Sequence, residues 1–179
     1  MQELSLEATL FGKHFSTSEY LHLGNSSDFM RFVLEWVESG YETLLRHRKV
    51  QTAQELQHFY FLNKEKDSFI SGTIMLSRDS SARKYPLVMA VEVQPFSYFQ
   101  NPDQALTYSQ KLGRKMSTIL KEAKSIDALK DGLQMLQKDN EVEITDGELP
   151  LCVFMNEDFS KSKSLYRPVE INDFIEIMR

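Results

Sequence analysis

The chain has 179 residues, 41% hydrophobic and 26% charged, a globular mixture whose size suits one domain spanning 1–179 and a core that removes roughly 70% of the unfolded surface from water. Its one cysteine, Cys152, excludes an intramolecular disulfide and a multi-cysteine metal site and fits a reducing compartment. A net charge of −5 does not attract nucleic acid or an anionic membrane. The acidic start lacks signal-peptide order, and no apolar run reaches the ~20 residues that cross a bilayer, so a cytoplasmic protein is expected.

Residues 4–11 open by alternating apolar with polar and read as a strand, ended by Gly12 and Lys13 and followed by a polar loop. Phe29, Phe32, Val33, Trp36, Val37, Tyr41, Leu44 and Leu45 then recur at helical spacing and predict one apolar face with Trp36 in the core. Ser26, Ser27 or Asp28 can cap that helix, and Arg46, His47, Arg48 and Lys49 complement the dipole at its end. Gly40 inside it either weakens the helix or marks the close approach of another backbone. Strands are predicted over 58–62, 68–76 and 85–93, and their short polar connections suggest an antiparallel meander. Pro102 opens a helix that runs to 124; Ser125-Ile126-Asp127 breaks and recaps the chain into a second, marked by Ala128, Leu129, Leu133, Met135 and Leu136. An acidic loop over 140–147, a buried strand over 150–155 and a closing helix over 171–178 complete an α+β fold of about five to six strands, mostly antiparallel and flanked by helices.

Chemistry-bearing patterns are sparse. His14, His22, His47 and His58 fall in no HxxxH or HExxH arrangement, and no metal site is expected. His58, beside Phe59-Tyr60-Phe61, reads as a strand-edge residue. Cys152 lies in an apolar run with no adjacent base, the setting of an inert thiol. Neither a GxSxG elbow nor a phosphate-cradling glycine loop is present, and no cofactor is expected. The aromatics at 59–61 and 96–99 lack interleaved basic residues, so no stacking surface for single-stranded nucleic acid is indicated. Lys161, Lys163 and Arg167 read as a solvated basic loop. The densest polar segment, 77–87, joins two apolar strands as an exposed connector. Asp79 and Arg83 can pair across it, and Pro86 sits where a strand start tolerates a missing donor. It reads first as a rigid turn and second as a recognition loop.

This segment also carries a resemblance. Ser77-x-Asp79-x-x-Ala82-Arg83-x-Tyr85-Pro86-Leu87 is similar to the S-x-D-x-x-G-R-x-F-P-L stretch of the TagF (ImpM) family of bacterial type VI secretion, with Ala82 for glycine and Tyr85 for phenylalanine. Phe11-Gly12-Lys13, then Ser16 and Glu19-Tyr20, resembles that family's F-G-K-x-P-S-x-G-D-F, with Phe15, Ser18 and Glu19 at its proline, glycine and aspartate. The helix of Trp36 and a terminal helix of Phe174 after Pro168 follow in the family's order. The tryptophan-rich strand near the family's end is not recognisable around 150–155, which makes this a divergent match over 6–178.

The resemblance implies a longin- or profilin-like sandwich that represses secretion after translation, working in the cytoplasm with a forkhead-associated scaffold protein and catalysing nothing. Gly12, Lys13, Glu19, Tyr20, Ser77, Asp79, Arg83, Tyr85 and Pro86 are the motif positions it offers for partner binding. Two other classes stand beside it. One is a small-ligand sensor that binds an anion through Arg83 and Lys84; the other is a hydrolase using Ser77 and Asp79 with a distant histidine.

Overall fold

In the computed structural model, residues 3–47, 55–99, 102–138 and 152–179 are described. Five strands form the sheet's interior: β1 (Ser5–Gly12), β3 (Leu56–Asn63), β4 (Ser68–Arg78), β5 (Lys84–Gln94) and β6 (Cys152–Asn156). The predicted meander is present, since β4 pairs antiparallel with both β3 and β5. Two four-residue strands, β2 (Leu21–Gly24) and β7 (Ser162–Leu165), close the edges. The order is β2-β1-β5-β4-β3-β6-β7, every neighbouring pair antiparallel. Among the described residues the sheet thus has seven strands, where five to six were expected.

The interior strands are apolar on both faces because helices cover both. In β5, Leu87, Met89, Val91 and Val93 point to one layer, Val88 and Ala90 to the other, as the two-residue period of a strand requires. The first layer is closed by α2 (Pro102–Glu122) and α3 (Ile126–Gln137), the second by α1 (Asp28–Arg46) and α4 (Ile171–Ile177). The result is an α/β/α sandwich on an antiparallel sheet.

Local chemistry sets the helix ends. Ser27 Oγ accepts from Met30 N at 3.0 Å at the start of α1, and Ser125 Oγ from Ala128 N at 3.1 Å at the start of α3, where the recap was expected. Ser27 also donates to the buried Glu92 carboxylate, which accepts from Ser68 Oγ at 3.1 Å, so the entry of α1 is keyed to the sheet.

The buried face of α1 is Met30, Val33, Trp36, Val37, Gly40, Tyr41 and Leu44. Phe32 and Leu45, assigned to it from spacing, lie outside it, 46% and 48% exposed. Met135 on α3 is likewise 69% exposed. At Gly40 the close approach is to a side chain: an added Cβ would collide with the Phe174 ring of α4. Trp36 is core, as expected. Its ring lies 5.7 Å from Phe154 in a stack and 5.4 and 5.2 Å from Phe61 and Phe174 edge-on, and Nε1 donates to Glu170 O at 3.0 Å.

Two other expectations are corrected. His58 is not at an edge, because β6 returns to pair with β3 on its far side. It is buried under α2, its Nε2–H donating to Glu157 O at 3.3 Å and its Nδ1 accepting from Thr73 Oγ1 at 2.7 Å. A carbonyl only accepts, so the proton is on Nε2. The presumed basic loop is structured: Lys163 lies in β7 and pairs with Glu176, and Arg167 clamps Asp173 at 2.8 and 2.9 Å. The expected 150–155 strand is present as β6 over Cys152–Asn156; residues 150 and 151 and the acidic 140–147 loop lie outside the described residues.

Candidate functional site

The β1–β5 ladder brings together the two motif segments, which are some seventy residues apart in sequence. Gly12 pairs with Leu87 and ends β1 with φ +116°, a left-handed value at which a Cβ would collide with Pro86 O. Glycine alone lets the chain turn against that carbonyl. Lys13 N then donates to Pro86 O at 3.3 Å. Pro86 loses nothing as a donor here, since the strand start needs only its carbonyl.

Arg78 and Lys84 are the last paired residues of the β4–β5 hairpin, so residues 79–83 form its loop. Asp79 organises it. Its Oδ1 accepts from Ser81 N at 2.9 Å and Arg83 N at 3.0 Å, and its Oδ2 from Arg83 Nε at 3.0 Å and Nη2 at 2.7 Å. Backbone bonds between Asp79 N and Arg83 O, and between Ala82 N and Asp79 O, both 2.9 Å, close the turn. Although burial pushes the Asp79 carboxyl up, the Arg83 guanidinium and the two amides hold it below its ordinary value. The connector is thus not exposed throughout. The Asp79 side chain is fully buried, whereas that of Arg83 is 61% exposed. Ser77 lies inside β4 and is buried.

Ala82, the position where the family pattern carries glycine, has φ +61°. The turn needs a left-handed residue there, and this chain meets the need with a side chain that disfavours it.

Lys13 joins the cluster: its Nζ lies 3.7 Å from Asp79 Oδ2 and 4.6 Å from the centre of the Tyr85 ring. Tyr85 in turn packs against Tyr41 of α1 at 5.2 Å, and Tyr41 Oη donates to Lys84 O. Burial, with the neighbouring Tyr85 and Asp79, pushes the Tyr41 phenol up to about 12. Tyr20 is attached differently, its hydroxyl donating to Glu38 Oε1 on α1 at 2.7 Å; burial and that carboxylate push its phenol up. Glu19 is exposed, and its amide donates to Thr17 Oγ1 at 3.0 Å. Of the motif positions, Gly12, Lys13, Asp79, Arg83, Tyr85 and Pro86 converge, Ser77 pairs with Tyr85 in the β4–β5 ladder, and Glu19 and Tyr20 make their hydrogen bonds elsewhere, to Thr17 and Glu38. Trp36 belongs to the α1/α4 aromatic cluster.

Beside the loop, Tyr41, Leu45, Arg78, Ala82, Arg83, Lys84 and Tyr85 line a groove of about 560 Å³. Sequence reasoning missed Tyr41, Leu45 and Arg78 as site residues, since helical spacing assigned the first two to the core. The one available signal was the hydroxyl of Tyr41, a polar tip at the end of an apolar stripe.

Among the described residues no histidine hydrogen-bonds to a serine of the loop. Ser77 Oγ donates to Arg78 O at 3.4 Å. Among the described residues the histidine hydrogen bonds run elsewhere, His14 to Ser16 and Ala123, His22 to Ser26, and His58 to Thr73 and Glu157. Burial pushes the Cys152 thiol up, away from the thiolate a nucleophile needs. Among the described residues no group of three or more His, Cys, Asp or Glu side chains converges as a metal site would, and no helix is long and apolar enough to cross a membrane.

Comparison with known proteins agrees with the fold. The family described as the TagF N-terminal domain, type VI secretion system-associated, matches residues 9–136. The crystal structure of PA0076 from Pseudomonas aeruginosa PAO1 superposes with a TM-score of 0.70 at 12% identity, covering 96% of this chain and 93% of that one. At that identity the likeness is one of fold. No curated protein matched the sequence.

Proposed function

The chain belongs to the TagF N-terminal domain family, associated with type VI secretion, and on that premise we propose that it is a regulatory interaction protein, a post-translational repressor acting in the cytoplasm through a forkhead-associated scaffold protein. The observation that carries this reading is the convergence of the two motif segments on one internally hydrogen-bonded loop. Such a loop is built to hold a shape, and rigid loops presented by a sheet are suited to recognition. No reaction is assigned to it in this reading, because the polar atoms around Asp79 are spent on one another.

The test is overproduction of the protein in a type VI-competent host, with secretion of a sheath-dependent substrate and capture of the scaffold as readouts. Arg83→Ala is expected to keep the fold and weaken both, since its guanidinium is largely solvent-exposed. Unimpaired secretion on overproduction of the parent chain overturns the repressor assignment.

A second reading, a sensor of small anions, is favoured by one observation, the cations Arg78, Arg83 and Lys84 on one groove. It differs in that millimolar inorganic phosphate would bind without the scaffold.

A further inference from the structure

The groove between the C-terminal half of α1 and the β4–β5 hairpin has a composition at odds with the rest of the molecule. The chain as a whole carries −5, yet Arg78, Arg83 and Lys84 all line this groove and none of its described lining residues is acidic. Asp79 beneath the loop compensates Arg83 and stands near Lys13. Arg78 uses Nη1 on Ala82 O at 3.2 Å. The Lys84 ammonium has no hydrogen bond or ion pair with a described residue. Glu42, the nearest acidic residue along α1, is directed to Arg46 at 3.7 Å.

The floor and wall are apolar. Leu45 is 48% exposed, and Tyr41 and Tyr85, whose tilted rings lie 5.2 Å apart, line the same groove. A free inorganic anion has no use for an exposed leucine beside two aromatic rings. A peptide does, because an apolar side chain can fill the floor while flanking carboxylates meet the cations.

We propose that this groove is the docking site for an acidic segment of a partner protein, an apolar side chain flanked by carboxylates, and that Arg78, Lys84 and Leu45 are its principal contacts. The inference rests on the interaction-protein reading above and adds the surface and the chemistry of what it receives. Charge complementarity supplies encounter rate and register, and the apolar anchor supplies residence time. The site is preorganised, since Asp79 fixes the hairpin loop and the Tyr41–Lys84 hydrogen bond fixes the hairpin to α1, so little ordering remains to be done on binding.

The experiment measures binding of the purified forkhead-associated scaffold to the full chain by titration calorimetry at low and raised salt. The Arg78→Glu/Lys84→Glu double variant is expected to weaken binding about tenfold or more and Leu45→Ser several-fold, while Lys130→Glu, on α3 across the sheet, leaves it unchanged. Raised salt is expected to weaken the parent and to restore part of the binding lost by the double variant, whose glutamates repel the acidic segment. Carbodiimide treatment of the complex is expected to join Lys84 to a scaffold Asp or Glu. Circular dichroism and melting accompany each variant, and if the double reversal misfolds, Arg78→Gln and Lys84→Gln are judged by the same titration. Parent-like binding by a folded double variant overturns the docking site and leaves the regulatory reading standing. Absence of scaffold binding by the parent overturns both. Phosphate-induced shifts at Arg78 and Lys84 with scaffold binding indifferent to their reversal overturn the peptide in favour of a small anion.

Discussion

Ala82→Gly is expected to make this protein more stable. At φ +61° the alanine Cβ crowds its own carbonyl, and a left-handed residue other than glycine costs roughly 1–2 kcal/mol. Glycine removes that strain but is freer in the unfolded chain, which returns roughly 0.4–1 kcal/mol. The difference is a gain of about 0.5–1 kcal/mol, or about 1–4 °C in Tm for a chain of this length. Ala82 is exposed and makes no core contact, so no packing loss offsets the gain. Thermal melts and urea unfolding with an unchanged m-value measure it. Ala82→Val provides the opposite arm, since a β-branched residue is a poorer fit to positive φ and should lower the midpoint. A glycine variant no more stable than the parent, at equal m, refutes the claim that this turn is strained.

Gly12→Ala should do the reverse and cost more, because the clash is with the Pro86 carbonyl of the neighbouring strand and neither backbone can yield without opening the ladder; a soluble variant melting with the parent would contradict this. Trp36→Ala is expected to cost about 3–5 kcal/mol in urea unfolding, with Trp36→Phe recovering part of it through the Phe154 and Phe174 contacts. Burial, with Lys121 and Arg114 nearby, pushes His58 from 6.5 down to about 4. In that window the unfolded chain holds a proton the folded chain lacks, so stability should fall as pH drops from 6.5 towards 4, by about 3 kcal/mol at most. His58→Gln should flatten that slope, and parallel pH profiles for parent and variant would refute the assignment.

What could be read from the sequence divides along physical lines. The long interior strands were legible as apolar runs bounded by polar turns, and the three longest helices because burial on one side imposes a helical period. The edge strands were not. Leu-His-Leu-Gly and Ser-Lys-Ser-Leu need only one hydrogen-bonded neighbour each and cover little core, so nothing in their residues separates them from loops. The stripe on α1 was legible but drawn too wide, because spacing admits Phe32 and Leu45 to a face whose limits are set by α4 and the sheet. His58 was misplaced for the same reason: whether β3 is an edge depends on β6, which arrives some ninety residues later. The site was legible only in halves. Charge and turn chemistry picked out 77–87, and the family resemblance supplied Gly12 and Lys13. Their meeting is a product of β1–β5 pairing, and the contribution of Tyr41 and Leu45 follows from where α1 crosses the hairpin.

The position of β6 also bears on where this protein can be cut. The family match stops at residue 136, but the hydrogen-bonding partner of β3 does not begin until Cys152. A fragment trimmed to the matched segment would leave the Phe59-Tyr60-Phe61 edge unpaired, a ready template for association between copies. It would also strip Phe154, Phe174 and the Glu170 carbonyl from Trp36, baring the indole to water. The matched segment therefore lacks β6 and α4, the two elements that close the aromatic layer around Trp36.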